Sequence, residues 1–142
     1  MKKQLYVISI LIIIFICYSC SRKEHNPNIK KVEIHYVFLY NATFTNVDCN
    51  KFYDYFSGSM DSLTITDKKT LSEFEKELNG LKLADSKSKS PDVRIKMKVS
   101  YENHIEELCL DAFVIERDGK IYIFSDKFKK LLYKAGAIKE LW

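Results

Sequence analysis

The side chains best suited to chemistry lie on segments that alternate apolar and polar residues. Their polar faces carry Glu33, His35, Arg94, Lys96 and Lys98. Such alternation is typical of β-strands with one buried face and one face in water. If the segment that carries Glu33 and His35 pairs with the segment that carries the three cations, these groups form one surface together with Glu107 and Asp111 of the next strand. Such a surface would suit an anionic ligand or a charged partner. An exposed cross-strand charge ladder is the alternative that we favour, because exposed ion pairs are common and weak.

No motif of a common enzyme class is present. The chain lacks GxSxG, HExxH, GxxxxGK[ST], GxGxxG and a paired CxxC. Glu106 and Glu107 point to opposite faces of a strand, so they cannot both join His104 in an acid–base or metal cluster. His25 and His35 also lack the closely spaced ligands of a metal site. We therefore expect that the protein is not an enzyme and that it binds no metal and no cofactor.

Aromatic residues are concentrated between positions 36 and 56. This stretch holds eight of the eighteen tyrosine and phenylalanine residues of the chain. Most must serve the core. Phe44, Tyr53 and Tyr55 are the candidates for an exposed anchor patch, because binding surfaces favour aromatic residues. For any one of them, core packing is the favoured alternative.

Cys49 and Cys109 are separated by 60 residues in sequence. A disulfide between them would stabilise the fold by about 4 kcal/mol through loop-closure entropy. Two buried thiols packed as small hydrophobic groups are an equally good alternative. Sequence separation does not decide between them.

Hydrophobic periodicity predicts the elements of the domain. Strands are expected at 31–40, 62–66, 92–101, 107–116 and 120–124, and helices at 48–56, after Asp67 and after Ser125. Asp118 and Gly119 give the strongest hairpin signal. The order predicts an α+β fold: one domain over residues 31–142, an antiparallel sheet of about four to five strands, and two to three helices packed on one face.

The first residues are arranged as a secretory leader. Lys2 and Lys3 precede an uncharged run from Leu5 to Cys20, which is 16 residues long. As a helix the run would rise about 24 Å, less than the ~30 Å hydrocarbon core of a membrane. A basic start, an apolar run and then the small Ser19 favour a cleaved leader over an uncleaved span.

The end of this run resembles the leader of bacterial lipoproteins, which is cut before a cysteine that then carries lipid. Cys17, Tyr18 and Ser19 precede Cys20, and only Ser19 fits the family's lipobox. The resemblance implies a signal peptide at 1–19 and a lipidated Cys20. Residues 21–30 are polar, contain Pro27 and show no apolar period, so we expect a flexible tether up to residue 30. An uncleaved span and a leader cut without lipidation are the alternatives.

The mature chain would have 123 residues with 21 basic and 19 acidic side chains, which is too balanced for a nucleic-acid partner. It resembles small uncharacterised periplasmic lipoproteins. We expect attachment to the periplasmic face of the outer membrane and binding of another envelope protein or peptide. An inhibitor or immunity-type lipoprotein and a carrier of a small ligand or glycan are the alternatives.

"DSL" at 61–63 resembles a bacterial O-glycosylation acceptor, with Ser62 as the modified residue.

Overall fold

A computed structural model describes residues 28–39, 42–85 and 87–138 of the chain. The predicted leader, the lipidation site Cys20 and the tether up to residue 27 lie outside these residues. The described residues form a single α+β domain built on one antiparallel sheet, as the sequence predicts.

The sheet has seven strands in the order β2-β1-β4-β5-β6-β7-β3, and every neighbouring pair is antiparallel. The strands are β1 Lys31–Tyr36, β2 Asp61–Ile65, β3 Lys82–Leu83, β4 Ile95–Ser100, β5 Ile105–Leu110, β6 Val114–Arg117 and β7 Lys120–Ile123. The central strands β1, β4 and β5 carry the longest pairings.

The predicted number of four to five strands is wrong for two reasons. The expected strand at 107–116 is broken by a turn, in which the Asp111 carboxylate accepts hydrogen bonds from the N–H groups of Phe113, at 2.6 Å, and Val114, at 2.8 Å. This turn separates β5 from β6. In addition, β3 is only two residues long, which is too short to show any periodicity.

The helices begin and end largely where the capping residues predict. A 3-10 helix covers Cys49–Lys51, and three α-helices follow: α1 Phe52–Tyr55, α2 Lys68–Asn79 and α3 Asp126–Ala135. The Asp67 side chain accepts from the Thr70 N–H, and the Ser125 side chain accepts from the Phe128 N–H. Gly136 ends α3 in the left-handed conformation with φ 89°.

The larger core lies between the sheet and the two long helices. One face of the central strands contributes Ile34, Met97 and Leu108, all fully buried. Phe74 of α2 and Phe128 of α3 meet edge to face with ring centroids 5.9 Å apart. Burial of this apolar surface holds α2 and α3 on what we call the inner face of the sheet.

The prediction that all helices pack on one face is wrong for α1. Phe52 and Phe56 pack with Val37, Val47 and Cys109 in a second, smaller core. Cys109 alternates with its buried neighbours along β5 and therefore points to the opposite side of the sheet. Residues 42–60, called the cover segment below, thus lie on the outer face.

Residues 28–30 are part of the described domain, whereas the sequence places them in the tether. The Asn28 side-chain amide donates to Glu75 of α2 at 2.8 Å, and the Lys30 N–H donates to the Ser100 carbonyl at 2.8 Å. Between them, Ile29 is 1% exposed. Asn28 thus contacts α2, and Lys30 continues the backbone pairing with β4. The helices α2 and α3 are called the inner layer below.

Replacing Asp111 by Ala should lower the free energy of unfolding by about 1–2 kcal/mol, because two N–H groups of the β5–β6 turn lose their acceptor. Urea denaturation measures the change. Asp48→Ala is the matched control, since its exposed carboxylate makes only a 3.9 Å contact with Lys51. Equal stability of the two variants would contradict this account of the turn.

Candidate functional site

The strand register brings the predicted polar residues onto one face. His35 of β1 lies opposite Lys96 of β4, and Glu33 lies opposite Lys98. Lys98 in turn lies opposite Glu107 of β5. Cations, carboxylates and an imidazole therefore share the outer face, as the alternation in sequence predicts.

The expectation that this face is open to water is wrong at Lys96. Its side chain is only 7% exposed, because the cover segment folds over it. The Lys96 ammonium donates to the Cys49 carbonyl at 3.3 Å, contacts Glu107 at 3.1 Å, and lies 4.8 Å from the centre of the Tyr53 ring. The charge is thus compensated inside the fold instead of being offered to a ligand.

Tyr53 lies over the cationic face and so does not belong to an exposed aromatic patch. Its ring contacts Lys96, lies 5.4 Å from the Lys98 ammonium, and meets the His35 ring edge to face at 5.3 Å. Burial raises the pKa of the phenol, and this outweighs the opposing effect of Lys98. A neutral, electron-rich ring therefore stabilises two lysines at once.

Glu107 balances both lysines from the neighbouring strand. Its carboxylate contacts Lys96 at 3.1 Å and Lys98 at 3.6 Å. Partial burial alone would raise the pKa of Glu107, but the hydrogen bonds and charges of the two lysines outweigh it and lower the pKa below its ordinary value. The ionised form is therefore the one that the fold stabilises.

Arg94 has a structural role, although the sequence places it on a binding surface. Its side chain is 6% exposed and is held by the Asp92 carboxylate through contacts of 2.6 Å and 2.8 Å. The guanidinium also donates to the Thr43 hydroxyl at 3.0 Å. Asp92 accepts a further hydrogen bond from the Val47 N–H at 2.8 Å. Arg94 and Asp92 together fix both ends of residues 43–47.

Residues 42–47, called the aromatic loop below, present Phe44 to solvent. Phe44 is fully exposed, more so than any other large apolar residue among the described residues. Within the loop, the Thr43 hydroxyl donates to the Thr45 carbonyl at 2.8 Å. Tyr55, at 43% exposure, is also accessible on the cover segment. Of the three aromatic candidates, Phe44 and Tyr55 are thus exposed.

Phe38 is an exposed aromatic residue that the sequence pattern does not predict. Alternation along 31–40 places it on the buried side of the first strand, but β1 ends at Tyr36. Its side chain is 50% exposed as a result. The end of the apolar–polar alternation at Val37, Phe38 and Leu39 is the only local signal of this.

A disulfide joins Cys49 of the cover segment to Cys109 of β5, with Cα atoms 5.6 Å apart. Cys109 is fully buried at the centre of the sheet. The bond therefore fastens the 3-10 helix directly to the outer face. Of the two alternatives that the sequence leaves open, a disulfide or two buried thiols, the structure contains the disulfide.

The remaining candidate residues lie elsewhere. Ser62 is exposed on the edge strand β2, opposite His35. His104 stacks on Tyr101 in the β4–β5 turn, with ring centroids 4.4 Å apart. Glu106 faces the inner layer and binds Arg117, so it does not join Glu107 in a cluster.

The Glu106–Arg117 pair is structural. Glu106 also accepts from the Tyr101 hydroxyl at 3.1 Å, and Arg117 donates to the Leu78 carbonyl at the end of α2. Burial and the neighbouring carboxylate raise the pKa of Tyr101 to about 12. Asp111, the last candidate of the polar surface, is occupied in the β5–β6 turn.

Among residues 28–39, 42–85 and 87–138, no group of three metal-ligating side chains comes together. Within the same ranges, no helix has the length and apolar character needed to cross a membrane. Comparison of the chain with protein families, with curated proteins and with solved structures gave no match.

Glu107→Gln should weaken the dependence of stability on acid pH. Because the folded pKa of Glu107 is lowered, its stabilisation is present above the unfolded pKa, near 4.5, and is lost as pH falls through the folded pKa. The free energy of unfolding, measured in urea from neutral to acid pH, should therefore fall less steeply in the variant. Glu102→Gln, on an exposed turn, should keep the original slope. A slope unchanged by Glu107→Gln would contradict the assignment.

Proposed function

We propose that this protein is a lipid-anchored cell-envelope protein that binds another envelope protein or peptide and catalyses no reaction. The observation that carries the proposal is the full exposure of Phe44 on a loop whose two ends are fixed. An aromatic side chain in water gains free energy when a partner buries it. The aromatic loop is therefore the proposed contact.

The way the aromatic loop is held supports recognition of a protein surface. Thr43 is bonded to the buried Arg94, and Val47 is bonded to Asp92. The cover segment beyond the loop is fastened by the disulfide at Cys49. A loop that is already ordered loses less conformational entropy on binding, so more of the contact energy appears as affinity.

Inhibition of one enzyme or toxin at the membrane is the second candidate function. The same fixed, protruding loop favours it, because inhibitors commonly present a pre-organised surface to their target. A carrier of a small ligand has less support. Six of the seven residues that line the groove between α2 and α3, of about 310 Å³, are charged, whereas hydrophobic and aromatic residues predominate in ligand pockets.

The proposed location rests on the leader and on the cysteines. The basic start, the apolar run and Ser19 before Cys20 support cleavage and lipidation, and attachment to the periplasmic face of the outer membrane is part of the proposal. A disulfide between Cys49 and Cys109 suits an oxidising compartment. Two or more acyl chains on Cys20 would hold the protein firmly on the membrane.

Phe44→Ala should reduce capture of the partner at least about tenfold, the size of effect expected for an aromatic hot spot. Cells expressing the tagged full chain are crosslinked, the membranes are solubilised and the captured proteins are quantified. Ile105→Ala is the control, since Ile105 is 65% exposed and pairs with Ser100, at the opposite end of β4 from Arg94. Capture that is undiminished by Phe44→Ala, or that fails equally with Ile105→Ala, would refute the proposed contact.

The intact mass of protein extracted from membranes should correspond to loss of residues 1–19 and addition of acyl chains at Cys20. In the variant Cys20→Ala, the acyl mass should be absent and the leader should not be removed. An unmodified full-length mass of the unaltered chain would refute the lipid anchor. This measurement is independent of partner capture.

A further inference from the structure

The solvent side of the inner layer is basic. Lys127, Lys130 and Lys134 of α3 line the groove between the two long helices, and Lys76 of α2 joins them from the other side. Glu73 and Glu77 of α2 line the same groove, so its four lysines exceed its carboxylates by two. All four side chains are exposed. The α3 helix itself contains four lysines against one acidic residue, Asp126.

Charge is distributed unevenly over the domain. The helices α2 and α3 hold seven lysines and four acidic residues, whereas the other described residues hold eleven basic and thirteen acidic ones. One of the four acids, Glu75, is buried against Asn28, and another, Glu77, accepts from the Ser125 hydroxyl. The inner layer is therefore the positive side of an otherwise slightly negative domain.

The chain also leaves the described domain beside this layer. Asn28 is bonded to Glu75 of α2. Between Cys20 and Asn28 the chain can reach at most about 29 Å. A domain of this size is about 34 Å wide. A lipid on Cys20 would thus keep α2 closer to the membrane than the outer face of the sheet.

We propose that α2 and α3 rest on an anionic lipid surface, with Lys127, Lys130 and Lys134 against the phosphate groups of the lipids. The inference rests on the lipid anchor of the proposed function. Each lysine near an anionic membrane contributes favourable electrostatic energy within about 10 Å of the surface. The aromatic loop, on the other side of the sheet, then faces away from the membrane and is free to meet its partner.

The test uses the full chain purified from membranes and reconstituted into vesicles of phosphatidylcholine alone or of equal parts phosphatidylcholine and phosphatidylglycerol. Lysines are acetylated briefly and the modification of each is measured by mass spectrometry. Lys127, Lys130 and Lys134 should react at least about threefold more slowly on the anionic vesicles, and high salt should remove the difference. Lys51 and Lys89, outside the inner layer, should react equally on both.

A charge-reversed variant separates membrane contact from simple burial. In the triple variant Lys127→Glu, Lys130→Glu and Lys134→Glu, Lys76 is the reporter, because it lies in the same groove. Its protection on anionic vesicles should disappear. The control carries the same charge change at Lys51→Glu, Lys87→Glu and Lys89→Glu, and there the protection of Lys76 should remain.

The outcomes distinguish this inference from the proposals on which it rests. Equal reactivity of the three α3 lysines on both vesicles, or protection of Lys51 and Lys89 instead, would overturn the orientation while the protein still floats with the vesicles through its anchor. Failure to float with either vesicle would overturn both the anchor and the orientation. Partner capture through Phe44 is unaffected by any of these results.

Discussion

The bond between Cys49 and Cys109 is the constraint on which the outer half of the structure depends. The cover segment contains only a 3-10 turn and the four-residue helix α1 before β2 begins, and helices this short are not stable alone. The smaller core has six buried residues, against nineteen in the larger core. Fastening the segment to the centre of β5 restricts the unfolded chain and keeps Phe52 and Phe56 against the sheet.

The cover segment gives the cationic face below it a structural role instead of a binding role. A buried ammonium is tolerated only when it is paired and hydrogen-bonded, and Lys96 has Glu107, the Cys49 carbonyl and the Tyr53 ring around it. Arg94 is satisfied in the same way by Asp92. The charges that suggest a binding surface in sequence thus organise the interior, and the surface they support is the aromatic loop with Phe44.

The sequence was informative at the helix caps and at one tight turn, where a local rule determines the structure. The caps at Asp67 and Ser125 and the turn at Asp118 and Gly119 follow from side-chain hydrogen bonds and from the need for positive φ. Alternation also placed the polar residues of β1 and β4 on one face. It could not show what lies over that face, since burial of Lys96 depends on a segment some 47 residues away. The turn at Asp111 was hidden because the surrounding residues favour strand.

Hydrogen exchange of the cover segment tests the central claim most directly. Amides of residues 42–60 are compared in the oxidised protein and in the double variant Cys49→Ser, Cys109→Ser. The account predicts protection in the oxidised protein, at Val47 and around α1, and its selective loss in the variant while α2 and α3 stay protected. Equally fast exchange of the cover segment in both proteins would contradict a fixed cover and, with it, the ordered presentation of Phe44.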